Sequence, residues 1–143
     1  MLDMPNIYKR GNMITTKLSS GLEDYIECIY NQINETGNVK AIDISKILDV
    51  SRASVTDALH RLAEKEYIHH ERYGTIEITQ KGIEKAQEII DKHTILTSFF
   101  EKVLSLSKEE ASENACRIEH VITLNAFEKL KKYTTSFIGE NND

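Results

Sequence analysis

The sequence predicts a mainly α protein: an N-terminal winged helix-turn-helix with a small β-hairpin wing, followed by an all-helical domain. Three observations carry that expectation. Apolar residues recur at helical spacing through most of the chain after residue 20, and the spacing drops to two over one stretch near residue 76. A short polar turn separates the second and third helices by the interval a helix-turn-helix needs. Glycine is sparse, Pro5 is the only proline, and there is no fixed-period repeat, so regular structure should dominate.

Leu22, Ile26, Ile29 and Ile33 form one apolar stripe with Gly37 just beyond it, which predicts a first helix over about 20–35. A short pattern follows in Ile42, Ile44, Ile47 and Leu48. It stops at Asp49-Val50-Ser51, where Asp49 takes the turn and Ser51 caps a third helix running to about residue 66 through Val55, Leu59 and Leu62. Ile68, a break at Tyr73-Gly74, and Ile76 and Ile78 alternating with Thr75, Glu77 and Thr79 predict the hairpin. Thr79 then caps a long helix carrying Ala86, Ile89, Ile90, Leu96, Phe100 and Leu104. Ser107-Lys108-Glu109-Glu110 is a capping box opening the next helix, and a last one over 124–133 should bury Ala126, Phe127 and Leu130. The expected organisation is a flexible leader over residues 1–19, a winged helix over 20–80 and a helical domain over 81–143.

Composition narrows the function. No run approaches the ~18 apolar residues of a membrane span, and the first twenty residues lack a signal peptide's apolar centre, so a cytoplasmic protein with no membrane partner is expected. A net charge of −5 excludes coating of nucleic acid by bulk electrostatics, though not a local contact face. The third helix of a winged helix commonly enters the DNA major groove. Ser51, Arg52, Ser54 and Thr56 lie at its start, where side chains reach base edges or phosphates, while Arg61, Lys65 and Arg72 suit backbone contacts. A plain solvated face would also carry Arg and Ser.

Cys28 and Cys116 form neither a disulfide framework nor a CxxC pair. Within ACRIEH, the i, i+3, i+4 spacing sets Cys116, Glu119 and His120 on one helix face, opposite Ala111, Ala115, Ile118, Val121 and Ile122. Three donors aimed one way suit a divalent cation, but Ser112, Glu113 and Thr123 share that face and an ordinary wet surface would look the same. Asp24 and Glu27 are a second acidic pair, projecting away from the Leu22/Ile26/Ile29 stripe. His93 falls on the apolar side of its helix, where a lone histidine is usually a satisfied core residue. Cys28 has the character of a packing residue.

Leu22-Glu23-Asp24-Tyr25-Ile26-Glu27-Cys28-Ile29-Tyr30, then Lys92-His93, then Glu113-Asn114-Ala115-Cys116-Arg117-Ile118-Glu119-His120-Val121 resemble the metal-binding segments of the diphtheria-toxin-repressor family of metal-dependent transcriptional repressors. The match runs collinearly from about residue 20 to 134. The resemblance implies that Asp24, Glu27, His93, Glu119 and His120 correspond to ligands of the short manganese-sensing branch. Cys116 stands where that branch has a sixth ligand, glutamate, and its wording follows the iron-sensing branch. Asp24 replaces that branch's methionine, and Thr97 and Ser112 stand where its second site uses glutamate and histidine. The sequence runs about twenty residues past His120, so an SH3-like third domain is not expected.

Hard carboxylate oxygens suit Mn(II) and a thiolate favours softer ions, so Mn(II) is the expected cofactor with Fe(II) the alternative. The resemblance implies a homodimer that binds double-stranded operator DNA once metal fixes its two reading helices about 34 Å apart, or a multiple of that. Phe99, Phe100, Val103 and Leu104 cover more than one side of their helix and are the expected dimer contacts, although burial within one subunit would also explain them. A winged-helix regulator not gated by metal is the other reading. An enzyme is not expected: there is no small-molecule substrate motif, no glycine-rich phosphate loop and no HExxH.

Overall fold

The computed structural model describes residues 18–71 and 74–141. Arg72 and Tyr73, together with residues 1–17 of the expected leader, lie outside them. Of the leader, Leu18 is buried and Ser19 caps the first helix, its side chain accepting from the Leu22 amide. Helix α1 spans Ser20–Thr36 and ends at Gly37, whose φ of 86° is the left-handed conformation that glycine adopts without strain.

Helix α2, Ala41–Leu48, and helix α3, Arg52–Glu64, are joined by the predicted turn. Asp49 takes a left-handed conformation at φ 53°, and Ser51 caps α3 by accepting from the Ser54 amide at 3.1 Å. Strands β1, Ile68–His70, and β2, Ile76–Ile78, pair antiparallel with Ile68 opposite Ile78. Ile26, Ile29, Val39, Ile44, Val55, Leu59, Leu62 and Ile68 make one continuous core under α1, α2, α3 and the hairpin. Ile42 and Ile47 of the expected apolar pattern stay exposed, on the other side of the short α2.

Helix α4, Gln80–Ser98, is fastened to this unit at its first turn. Thr79 Oγ1 donates to the carbonyls of Glu66 and Tyr67 and accepts from the Gly82 amide. A Cβ on Gly82 would run into the Tyr67 carbonyl, so only glycine lets α4 approach that closely. Ile89 of α4 belongs to the first core, while Leu96, two turns on, belongs to a second, small core with Ala115 and Phe127. Helix α4 thus passes from one half of the molecule to the other.

Four expectations need correction here. The long helix does not continue in α form through Leu104: it ends at Ser98 and passes into a π-helical segment, Phe99–Val103. The Leu104 amide donates to Phe99 O, and the wider turn lets the adjacent Phe99 and Phe100 rings meet edge to face at 5.4 Å. Helix α5 spans Lys108–Ile118 behind its Ser107 cap, so Val121 lies past its end and is 67% exposed rather than on the buried face. Helix α6 runs Leu124–Asn141, well beyond residue 133, because Thr134 and Phe137 continue the stripe of Phe127 and Leu130. Ala126 sits off that stripe and is exposed. Among the described residues, no helix is long and apolar enough to cross a membrane.

Candidate metal centre

Helices α1, α4 and α5 converge where the first core gives way to the second. Glu119, the residue that ends α5, is buried at 4% exposure and His120 is half-buried, while Cys116 on the same face is exposed. One oxygen of its carboxylate, Oε2, lies 2.8 Å from His93 Nδ1 on α4. Cys116 Sγ is 3.7 Å from the same nitrogen. The other oxygen, Oε1, lies 3.4 Å from His120 Nε2, which is 3.2 Å from Asp24 Oδ1 on α1. Two groups of three donors therefore share one carboxylate: His93, Cys116 and Glu119, and Asp24, Glu119 and His120, with the donor atoms of each group within 4.8 Å of one another.

Glu27 stands one helical turn from Asp24, half-buried and within electrostatic reach of His93 and His120, but its carboxylate belongs to neither group. Burial raises its pKa; His93 opposes that rise, Asp24 adds to it, His120 opposes it and Glu23 adds to it. Burial likewise pushes Glu119 up, against the hydrogen bond and charge of His93 and the charge of His120, with Glu27 adding to the rise. The Cys116 thiol is also pushed up, first by burial and then by Glu119, Glu27 and Asp24. All three shifts express one condition: negative charge is crowded where water is scarce.

This donor set fits a divalent cation. The nitrogens and oxygens that face each other, His93 Nδ1 with Glu119 Oε2 and His120 Nε2 with Asp24 Oδ1 and Glu119 Oε1, are the ones metal would draw together. His93, expected on an apolar face, is half-buried at its edge and points Nδ1 at Glu119, with Nε2 3.5 Å from Ser112 Oγ. Cys28 is buried in the first core, as its packing role required. Sequence reasoning passed over Glu23, which is 5% exposed and faces His120. Its place three residues before Ile26, at the border of the apolar stripe, does not by itself separate it from a surface carboxylate.

The residues expected to meet DNA stand apart from this centre. Ser51, Arg52, Ser54, Thr56, Arg61 and Lys65 are all exposed along α3 and its ends. Ser51 Oγ donates to Ser54 Oγ, Thr56 Oγ1 donates to the Arg52 carbonyl, and Arg61 pairs with Asp57 at 3.1 Å. The Lys65 carbonyl accepts from Lys81 Nζ, which also lies over the Tyr67 ring.

A winged helix-turn-helix joined to a helical half through a carboxylate, imidazole and thiol cluster defines the class of metal-dependent transcriptional regulators. Comparison with known proteins makes the assignment specific. Residues 17–76 match the model described as iron dependent repressor, N-terminal DNA binding domain, and residues 79–137 match iron dependent repressor, metal binding and dimerisation domain. The chain belongs to this family, the diphtheria-toxin-repressor family of metal-dependent transcriptional repressors, whose members are regulators and not enzymes.

It is 36% identical over 121 residues to an uncharacterized HTH-type transcriptional regulator of Methanocaldococcus jannaschii, covering 84% of this chain and 97% of that one. It is 33% identical over 109 residues to the HTH-type transcriptional regulator MntR of Geobacillus kaustophilus, covering 76% and 77%. Among solved structures, T. acidophilum IdeR superposes with a TM-score of 0.67 at 25% identity, covering 78% of this chain and 52% of that chain. The manganese regulator SloR superposes with a TM-score of 0.71 at 23% identity, covering 80% and 53%, a likeness of fold. The chain spans about half the length of these two.

Proposed function

We propose that this protein is a transcriptional repressor that binds operator DNA as a homodimer when loaded with Mn(II), controlling metal-uptake genes in the cytoplasm. The observation that carries the reading is the buried Glu119 carboxylate, turned with one oxygen to His93 and Cys116 and with the other to His120 and Asp24. The proposed ligand set is Asp24, Glu27, His93, Cys116, Glu119 and His120. A bound divalent cation would supply positive charge that offsets the crowded carboxylates and holds their elements together.

What these residues do for DNA binding follows from where they are anchored. Asp24 and Glu27 belong to α1, under the reading helix; His93, Cys116, Glu119 and His120 belong to α4 and α5. Tying them together fixes the angle between each reading unit and the helical half that joins two copies. A dimer must present its two α3 helices about 34 Å apart, or a multiple of that, to meet successive major-groove faces. Shifting a two-state equilibrium from 1:99 to 99:1 takes about 5.5 kcal/mol of differential affinity, within the range of a multidentate site. Ser51, Arg52, Ser54 and Thr56 are the proposed base and phosphate contacts, with Arg61, Lys65 and Arg72 on the backbone.

Three carboxylates favour Mn(II), and the MntR relatives support it. One observation favours Fe(II): Cys116 stands 3.7 Å from His93 Nδ1, and a thiolate suits the softer ion. Fluorescence anisotropy on DNA from upstream of its own and neighbouring transporter genes, without oxygen, tests both. Tight binding with Mn(II) or Fe(II), none in chelator, and loss in His93→Ala are expected. Equal binding in chelator would mean a winged-helix regulator that metal does not gate.

A further inference from the structure

Glu23 is outside the proposed ligand set, yet it is a carboxylate held at 5% exposure on α1. A helix dipole favours a negative charge in the first turn, and the surface would serve that purpose without loss of hydration. An ionised carboxylate leaves water at high cost unless polar groups receive it, and the His120 ring is one such group beside Glu23. Glu23 Oε1 lies 3.6 Å from His120 Nδ1. Among the described residues that buried nitrogen makes no hydrogen bond, the separation being a few tenths of an ångström too long for one. The opposite edge of the ring, Nε2, faces Asp24 Oδ1 at 3.2 Å and Glu119 Oε1 at 3.4 Å. The imidazole is thus held between carboxylates on both edges, and only Nε2 looks into the donor cluster.

A neutral imidazole carries one hydrogen, and a nitrogen that binds metal must be the one without it. We propose that Glu23 is a positioning residue: its buried carboxylate receives the Nδ1 hydrogen of His120 and thereby keeps the Nε2 lone pair aimed at the space between Asp24 and Glu119. This rests on the metal reading above and adds to it a seventh side chain that touches no metal. Glu23 and Asp24 are consecutive on α1, so the same helix turn supplies one proposed ligand and the group that orients another. Displacement of α1 disturbs both at once, which couples the reading unit to the site more tightly than Asp24 and Glu27 do alone.

The test uses the full chain as wild type, Glu23→Ala, Glu23→Gln and His120→Ala. Mn(II) affinity is measured by competition with a fluorescent chelator, folding by thermal melts, and the His120 ring nitrogens by ¹⁵N NMR of metal-free and Zn(II)-loaded protein. Glu23→Ala should weaken Mn(II) binding roughly 10- to 100-fold, the usual consequence of removing a carboxylate behind a metal-bound histidine. Glu23→Gln keeps an acceptor and should recover most of that loss. The Nδ1–H signal of His120 should persist in wild type and Glu23→Gln and be lost in Glu23→Ala. An unchanged His120 signal in Glu23→Ala, or Mn(II) affinity equal to wild type, overturns the proposal and leaves Glu23 a packing residue. Failure of wild type to bind Mn(II), or full binding by His120→Ala, overturns the metal reading instead, and the metal-free spectra still decide the pairing.

Discussion

The two halves of the molecule bury their apolar residues to very different extents. Helices α1, α2 and α3 and the hairpin share a continuous core in which Ile26, Ile29, Ile44, Leu59, Leu62 and Ile68 are essentially inaccessible. The half built on α5 and α6 has only Leu96, Ala115 and Phe127 at the centre of its cluster, with Ile95, Ile118, Ile122 and Leu130 partly covered around them. Leu104, Val121, Leu124 and Tyr133 of that half are 50% to 67% exposed. One half has the core of an independent unit. The other leaves more apolar surface uncovered than Ile42 and Ile47 do in the first, which is the expected condition of an element that completes itself against a second copy. The donor cluster lies at the junction, where a bound ion would act on the half with less packing to hold it.

The largest effect should come from the well-packed half. Leu62 is fully buried, so Leu62→Ala should cost about 2–5 kcal/mol from lost transfer energy and the cavity left behind. Urea unfolding of the metal-free protein measures it. A cost under about 1 kcal/mol would mean that this core is looser than its burial implies. A smaller effect is expected in the other half, and of a different kind. Leu124→Asp places a charge on surface that is exposed in one chain and covered in the proposed dimer. It should raise the dimer dissociation constant roughly 10- to 100-fold, following the ~1.5–3 kcal/mol that burial of a leucine contributes. Sedimentation across a concentration series reads this directly. An unchanged dimer would place the interface elsewhere, and loss of the monomer fold would mean that Leu124 packs within its own chain.

The same division explains what could be read from the sequence. Ser51, Thr79 and Ser107 were identifiable as caps because a cap depends on residues three positions apart, and each makes the expected bond. The hairpin was identifiable from Ile68, the break at Tyr73-Gly74 and the alternation of Ile76 and Ile78 with polar residues. The π-helical segment was not, since Phe99 and Phe100 at helical spacing look the same in either geometry. Periodicity set Cys116, Glu119 and His120 on one face but carried no information about what that face meets. Its burial depends on α1 and α4, some twenty-five to one hundred residues away in the chain. Glu23 was missed for the same reason: nothing local separates a carboxylate at the edge of an apolar stripe from one buried against His120. The family resemblance supplied the long-range part that periodicity lacks, for the ligand positions it names and not for Glu23.

The two cysteines, one in each region, give the finest comparison. Cys28 is 7% exposed in the first core, and its thiol is pushed up from 9.0 to about 11 by burial, then by Glu27 and Asp43. Cys116 is exposed, its sulfur partly shielded from water, and that desolvation and then Glu119, Glu27 and Asp24 raise its thiol. Because the thiolate is the reactive form, an aromatic disulfide reagent at pH 8 should label Cys116 readily in metal-free protein and reach Cys28 only on unfolding. The sign of the stability effect follows from the raised value. A thiol that holds its proton more tightly when folded contributes stability that is fully present below its ordinary pKa of 9.0 and is lost as pH rises through about 11. Cys28→Ala should therefore flatten the loss of stability between pH 9 and 11, measured against wild type. Labelling of Cys116 tests the other half, since Mn(II) should slow it if the sulfur is a ligand and leave its rate unchanged if it is not. A Cys28 that labels as fast as Cys116 in the folded protein would remove the contrast, because it would mean that the first core opens as easily as the junction.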